Sequence, residues 1–370
     1  MIISRTPYRI SFFGGGTDYP DWYRKHGGAV LATAIDKYCY ITSRFRPPFF
    51  DNKYRIVWSK IENCNVIDEI AHPSVREILR YLKMERGVEI HHVGDLPARS
   101  GMGSSSSFTV GLLHAIHALK GYMPTKAQLA KESIYLEQDV LKETVGSQDQ
   151  VMAAHGGFNY VQFHPNGEIS VQPVILSAER IAELNDHLML FYTGIKRTAA
   201  TVAVSYVNDM EAKRRQLRIM KDLVEESISI LNSSRDITSF GELMHEAWEA
   251  KRSLSTRVSN SHVDEIYEKA FAAGAIGGKL TGAGGGGFML LFVPPGRQKQ
   301  VRETLKMLIH VPFKFEYTGS QIIYFNHEED YSKIEEEMAG QQIIVPRELT
   351  AVIGGMKKNG KKVQSCLVAT

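Results

Sequence analysis

DLPARSGMGSSSSFTVGLLHAIHALK, residues 95–120, is a glycine- and serine-rich loop that runs straight into an apolar helix. Gly101 and Gly103 open backbone conformations that side-chain-bearing residues avoid, and they let a ligand approach closely. Ser104 to Ser107 supply hydroxyls and candidate N-caps. Phe108, Leu112, Ala115, Ile116 and Leu119 recur at helical spacing, so the helix has a face to bury. Free N–H groups at such a helix start, reinforced by the helix dipole, suit an anion such as phosphate. A plain flexible Gly/Ser loop is the competing reading, and the rest of the chain decides between them.

Two further glycine clusters flank this stretch: Gly14-Gly15-Gly16-Thr17-Asp18 near the start and Lys279 to Gly287 late in the chain. Either alone could be a simple turn. Three clusters, each abutting a strand or helix, are better explained by convergence on one phosphate-bearing ligand. No G-x-x-x-x-G-K-[ST] occurs, and no G-x-G-x-x-G follows an early strand, so Walker-type and Rossmann-type nucleotide sites are excluded.

Strands are predicted over 1–13, 29–43, 53–60, 87–93, 158–163 and 169–174, and helices over 74–83 and 129–141. A first domain therefore ends near residue 185, and residues 186–329 form a second. In the second, a strand at 187–193 precedes helical spans at 198–232, 238–254 and 262–274. The strand FMLLFV, a helix over 297–309 and a strand near 321–325 close it. Residues 330–370 contain the basic run Lys357-Lys358-Asn359-Gly360-Lys361-Lys362 and read as a mobile appendage or a contact between subunits of a homodimer.

A chain of 370 residues can hold two cores, and 43% hydrophobic with 23% charged residues is a soluble, globular composition. A net charge of +3 gives no basis for nucleic-acid binding, the basic tail included. Cys39, Cys64 and Cys366 lie far apart, without the spacing of a zinc site or disulfide framework, which points to a reducing, cytoplasmic setting. No signal peptide and no apolar run of membrane-spanning length is read, so no membrane partner is expected. His91-His92 lacks any ligand spacing for a transition metal.

Asp149, in a glycine-flanked helix start, either caps that helix or acts as a general base within reach of an acceptor hydroxyl. Arg9, on a predicted strand beside a glycine turn, is the candidate cation. Asp18 is a turn residue or a holder of sugar hydroxyls. Glu137 lies on a solvated helix face or binds Mg²⁺ together with a serine. Lys196 and Arg197 are an ordinary loop pair or the cations for a substrate phosphate. Trp58 and its strand are candidates for an adenine pocket.

Pro7 to Tyr19, Leu96 to Ser107 and Lys279 to Gly287 resemble, in order, the first, second and third motifs of the GHMP small-molecule kinases. Within them the GGGTD form with AIDKYCY is most similar to the bacterial D-glycero-D-manno-heptose 7-phosphate kinases, and fucokinases share GGGTD. Gly15-Gly16 replace the Glu-His pair of galactokinase, which argues against galactose. The resemblance implies an α+β, two-domain fold, with an N-terminal ATP-binding domain and a ferredoxin-like C-terminal domain. It implies Asp149 as catalytic aspartate with Arg9 as partner, and ATP held by Arg99, Ser100, Gly101, Met102, Gly103, Ser104, Ser105 and Ser106. Mg²⁺ falls to Ser105, or its neighbour Ser104, and Glu137. The sugar phosphate falls to Gly15, Gly16, Asp18, Lys196, Arg197, Gly282, Ala283 and Gly284. The implied reaction transfers the ATP γ-phosphoryl group to the anomeric hydroxyl of heptose 7-phosphate. Fucose, an N-acetylhexosamine or a galactose-like sugar is the alternative acceptor, and a catalytically inactive binding module is the alternative of another class.

Overall fold

A computed structural model of the chain describes residues 1–195, 199–207, 209–327 and Tyr331. β1 (Ile2–Phe13) leads through a glycine turn to α1 (Pro20–His26) and the long β2 (Gly28–Phe45). β3 (Tyr54–Val57), β4 (Ile61–Cys64), α2 (Pro73–Tyr81) and β5 (Val88–Gly94) follow, then α3 (Ser104–Leu119), α4 (Lys126–Tyr135) and α5 (Gln148–His155). β6 (Phe158–Phe163), β7 (Ile169–Pro173) and α6 (Ala178–Asp186) come next. After them run β8 (Leu188–Tyr192), α7 (Ala199–Val207), α8 (Arg214–Asn232), α9 (Thr238–Arg252) and α10 (Ser261–Ala272). β9 (Gly277–Leu280), β10 (Phe288–Phe292), α11 (Gln298–Thr304), β11 (Ile309–His310), β12 (Phe315–Glu316) and β13 (Gln321–Phe325) complete the described elements.

These strands form two sheets, and the fold is α+β as expected. The larger sheet runs β13-β1-β2-β5-β3-β4, with β6 and β12 also pairing with β2 and β7 pairing with β6. The smaller runs β11-β8-β10-β9, all antiparallel. In chain order its elements read β-α-β-β-α-β, and the strand order is that of a ferredoxin-like sheet. Gly28 to Ile35 of β2 are all buried, in a region where α3, α5 and α8 meet the strand, so this half-strand shows a continuous apolar run instead of alternation.

An aromatic seam joins the two sheets. Phe240 of α9 packs edge-on to Phe12 and Phe13 of β1, with ring centroids 5.6 and 5.1 Å away, and reaches Phe292 of β10 at 6.3 Å. Nζ of Lys279 on β9 crosses the same seam and donates to Phe12 O at 2.8 Å. The three glycine clusters converge beside it.

Three expectations change. The helical span at 198–232 is two helices, α7 and α8, separated by a turn region through Lys213. The helix expected over 297–309 ends at Thr304, because Ile309 leaves it to pair with Tyr192 at the edge of β8. The strand at 321–325 does not close the second sheet: β13 pairs with β1, Ile2 opposite Phe325, and β12 pairs with β2. β1 has β2 on one edge only, and the returning chain satisfies the N–H and C=O groups of the other. Residues 332–370, which carry the basic run, lie outside the described residues.

Candidate active site

β1 sets Arg9 in place. The strand is buried from Arg5's neighbour Thr6 to Phe13, and Arg9 itself is 3% exposed. Its backbone N–H donates to Met102 O at 3.1 Å, which ties the loop before α3 to the strand. Its side chain makes a fork: Nε to Asp149 Oδ1 and Nη2 to Asp149 Oδ2, both 2.7 Å. The remaining Nη1 donates to Gly101 O at 2.8 Å. Such bidentate, charge-assisted bonds are short, strong and directional. The Asp149 side chain stays 27% exposed, so a ligand can reach it. Ser147 occupies the cap position of α5, so the tertiary structure commits the Asp149 carboxylate to Arg9 and not to capping.

The loop 99–103 closes tightly around this pair. Gly103 has φ 75° and starts α3, while Gly101 has φ 80°. A Cβ at Gly101 would stand 2.6 Å from Thr281 O, and one at Gly103 would stand 3.3 Å from Arg9 Cγ. Only glycine meets both demands. Met102 is fully buried and anchors the loop. The cap residue of α3 is Gly103, not a serine: Ser104 Oγ accepts from the Arg99 N–H at 3.2 Å, with Arg99 at φ 60°. The first intrahelical bond runs from the Ser107 N–H to Gly103 O, which leaves the N–H groups of Ser104 to Ser106 at the helix start. Ser100 is buried, and its hydroxyl has no partner among the described residues.

Glu137 occupies a π-helical turn, Leu136–Val140, that continues α4. The wider turn puts adjacent residues, Leu136 and Glu137, both inside. Glu137 Oε2 accepts from Ser106 Oγ at 2.8 Å and from Gln150 Nε2, and Oε1 accepts from Thr109 Oγ1 at 2.8 Å. Burial pushes its carboxyl up to about 7, only partly offset by those neutral donors. Ser105 is exposed, and the serine bonded to Glu137 is Ser106. One carboxylate with neighbouring hydroxyls fits Mg²⁺, an oxygen-seeking ion whose shell is completed by phosphate oxygens and water. No cluster of three or more His, Cys, Asp or Glu suited to a metal occurs among the described residues.

Asp18 is 1% exposed and ties two segments together. Oδ1 accepts from the Gly16 N–H at 2.9 Å and Oδ2 from the Gln148 N–H at 3.3 Å, while its carbonyl accepts from the Ser147 N–H at 2.9 Å. A Cβ at residue 146 would collide with Asp18 Oδ2, so Gly146 is required there. Burial is the main reason its carboxyl is raised above the ordinary range. Gly15 lies beside Ser11 Oγ and the Gln148 side chain; Ser11 Oγ and Gln148 Oε1 are buried and have no partner among the described residues. Sequence reasoning missed Ser11. The signal was available, since residues 9 and 11 of one strand share a face.

Thr281 to Gly287 pack directly on the loop before α3: a Cβ at Gly282 would stand 2.6 Å from Gly101 Cα. Ala283 and Gly284 continue this contact region, with Gly284 against Val258. Lys196 and Arg197 lie outside the described residues. Trp58 donates Nε1–H to Glu62 at 2.7 Å and meets His72 edge-on, and His72 stacks on Phe108 of α3 with centroids 4.8 Å apart.

A helix start with free N–H groups, a guanidinium and a partly open carboxylate lie side by side here, an arrangement suited to phosphoryl transfer. The N-terminal domain of the GHMP kinases matches residues 69–157 and their C-terminal domain residues 219–308, and the chain belongs to this family of ATP-dependent kinases. It is 28% identical over 316 residues to the D-glycero-alpha-D-manno-heptose 7-phosphate kinase of Campylobacter jejuni, covering 82% of this chain and 93% of that one. It is 26% identical to the mevalonate kinase of Pyrococcus horikoshii, over 84% of this chain and 94% of the relative. The crystal structure of a D-glycero-D-manno-heptose 1-phosphate kinase from Bacteroides thetaiotaomicron shares the fold, with a TM-score of 0.72, 23% identity, and coverage of 88% and 100%. No described helix is long and apolar enough to cross a membrane.

Proposed function

We propose that this kinase transfers the γ-phosphoryl group of ATP to the anomeric hydroxyl of D-glycero-D-manno-heptose 7-phosphate, giving the 1,7-bisphosphate. The observation that carries the reading is the fork between Arg9 and Asp149, held against the loop that would take the donor phosphates. Residues 99–106 supply N–H groups and helix dipole to those phosphates. Asp149 accepts or orients the proton of the attacking hydroxyl, and Arg9 stabilises charge on the transferring group. The chain thus contributes mainly position and field. Glu137 with Ser106 or Ser105 would hold Mg²⁺, which supplies charge neutralisation at the donor phosphates. Gly15, Gly16 and Asp18 border the acceptor, and the partnerless Ser11 and Gln148 atoms beside Gly15 are suited to sugar hydroxyls. Gly282, Ala283 and Gly284 close the acceptor side of the phosphate loop, and Lys196 and Arg197 are assigned to the distal phosphate.

The heptose preference is supported by the Campylobacter relative, which covers most of both chains. The test is turnover of heptose 7-phosphate beside heptose 1-phosphate, unphosphorylated heptose, fucose, galactose and an N-acetylhexosamine, with ATP. The expected result is at least a tenfold higher kcat/KM for heptose 7-phosphate, since a hydrogen-bonded phosphate discriminates strongly. Preference for a free sugar would move the acceptor to the fucokinase-like alternative, and ATP consumption with none of them would favour a binding module.

A further inference from the structure

Lys251, near the end of α9, was marked by no motif. Its side chain is buried, and Nζ donates to the carbonyls of Gly282 and, at 3.4 Å, Leu280. An ammonium has three N–H donors, so one remains for another acceptor. No carboxylate lies within ion-pair distance of it among the described residues. Burying an ammonium against neutral carbonyls is costly, and an amide could make the same bonds without the charge.

The neighbours explain the charge. Gly282 backs onto Gly101, Gly101 O accepts from Arg9, and Arg9 forks onto Asp149. We propose that Lys251 is a positioning residue for phosphoryl transfer, clamping the third glycine loop onto the phosphate loop and adding a positive charge behind the Arg9–Asp149 pair. This rests on the phosphoryl-transfer reading above. The charged groups facing Lys251 are Arg9 from β1, Asp18 from the turn after it, Asp149 from α5 and Lys279 from β9. Burial, with Lys251 and Arg9 beside it, pushes the Lys279 amine well down, so Arg9 and Lys251 are the cations set against the two carboxylates, and an arriving phosphate adds negative charge beside them. Burial, followed by repulsion from Arg9, pushes the Lys251 amine down to about 7, so the free enzyme loses this charge above neutrality.

Lys251→Gln keeps an N–H for Gly282 O and removes the charge, whereas Lys251→Met removes both. With the best acceptor of the panel, K251Q is expected to lose about tenfold to a hundredfold in kcat, less than the roughly 10²–10³-fold of a donor that touches the transition state, because Lys251 acts through its neighbours, with little change in Tm. The parent's kcat/KM should fall above about pH 7, and K251Q should lack that alkaline limb. K251Q with parental kcat and parental pH profile would overturn the inference, leaving Lys251 a structural plug. K251Q carries this test even where K251M does not fold. Asp149→Asn is measured beside it: an active D149N overturns the base reading and leaves the Lys251 result standing, while an inactive D149N with a parental K251Q overturns the Lys251 inference alone.

Discussion

Asp149 and Glu137 are two carboxylates on consecutive helical segments, and their surroundings are opposite. Asp149 faces a guanidinium through two bonds and keeps a quarter of its side chain open. Glu137 faces two hydroxyls and an amide, buried from solvent and with no ion-pair partner among the described residues. The first arrangement suits a group that must meet a substrate hydroxyl. The second suits a group that holds its own proton near neutrality until a cation arrives. Residue type is the same in kind; partner charge and access divide the roles.

The largest expected effect breaks the open carboxylate. Asp149→Asn should lower kcat by about 10²–10⁴, the usual range for a general base, with ATP binding largely kept. Turnover near the parental value would reduce Asp149 to a positioning role.

Next comes the closed carboxylate. The folded-state pKa of Glu137 is raised, from 4.5 to about 7, so its protonated form favours folding. That contribution is fully present below about pH 4.5 and is lost as pH rises through about 7, a change of about 3 kcal/mol at 1.36 kcal/mol per unit. Glu137→Gln stays neutral, so without Mg²⁺ its Tm at pH 8 should exceed the parent's and the two should converge near pH 4.5. Adding millimolar Mg²⁺ at pH 8 should raise the parent's Tm and leave the variant's unchanged. Equal Mg²⁺ effects on both proteins would remove Glu137 from the metal.

The smallest effect separates charge from packing. Arg9→Met deprives Asp149 of its cation and should cost about 2 kcal/mol in denaturant unfolding, below the range for a fully buried pair because Asp149 is partly exposed. A loss as large as that expected for a core cavity would assign Arg9 to packing more than to the pair.

Much of this was legible in the chain. Local rules dictate the glycine-to-helix transition at 101–104, because positive φ and a free helix start depend on neighbours in sequence. Periodicity revealed β1, α3 and the α+β order for the same reason. Arg9 and Asp149 were legible as candidates, yet whether Asp149 caps a helix or meets Arg9 depends on a contact across 140 positions. Longer-range still are β13, which pairs with β1 because an open strand edge needs a partner, and Lys251, whose Nζ finds Gly282 only once α9 and β9 are packed. Sequence by itself determined which segments could bend, helicalise and hold an anion, since those are local backbone properties. Only the tertiary structure decided which charge faces which, because burial and electrostatic pairing are set by neighbours distant in the chain.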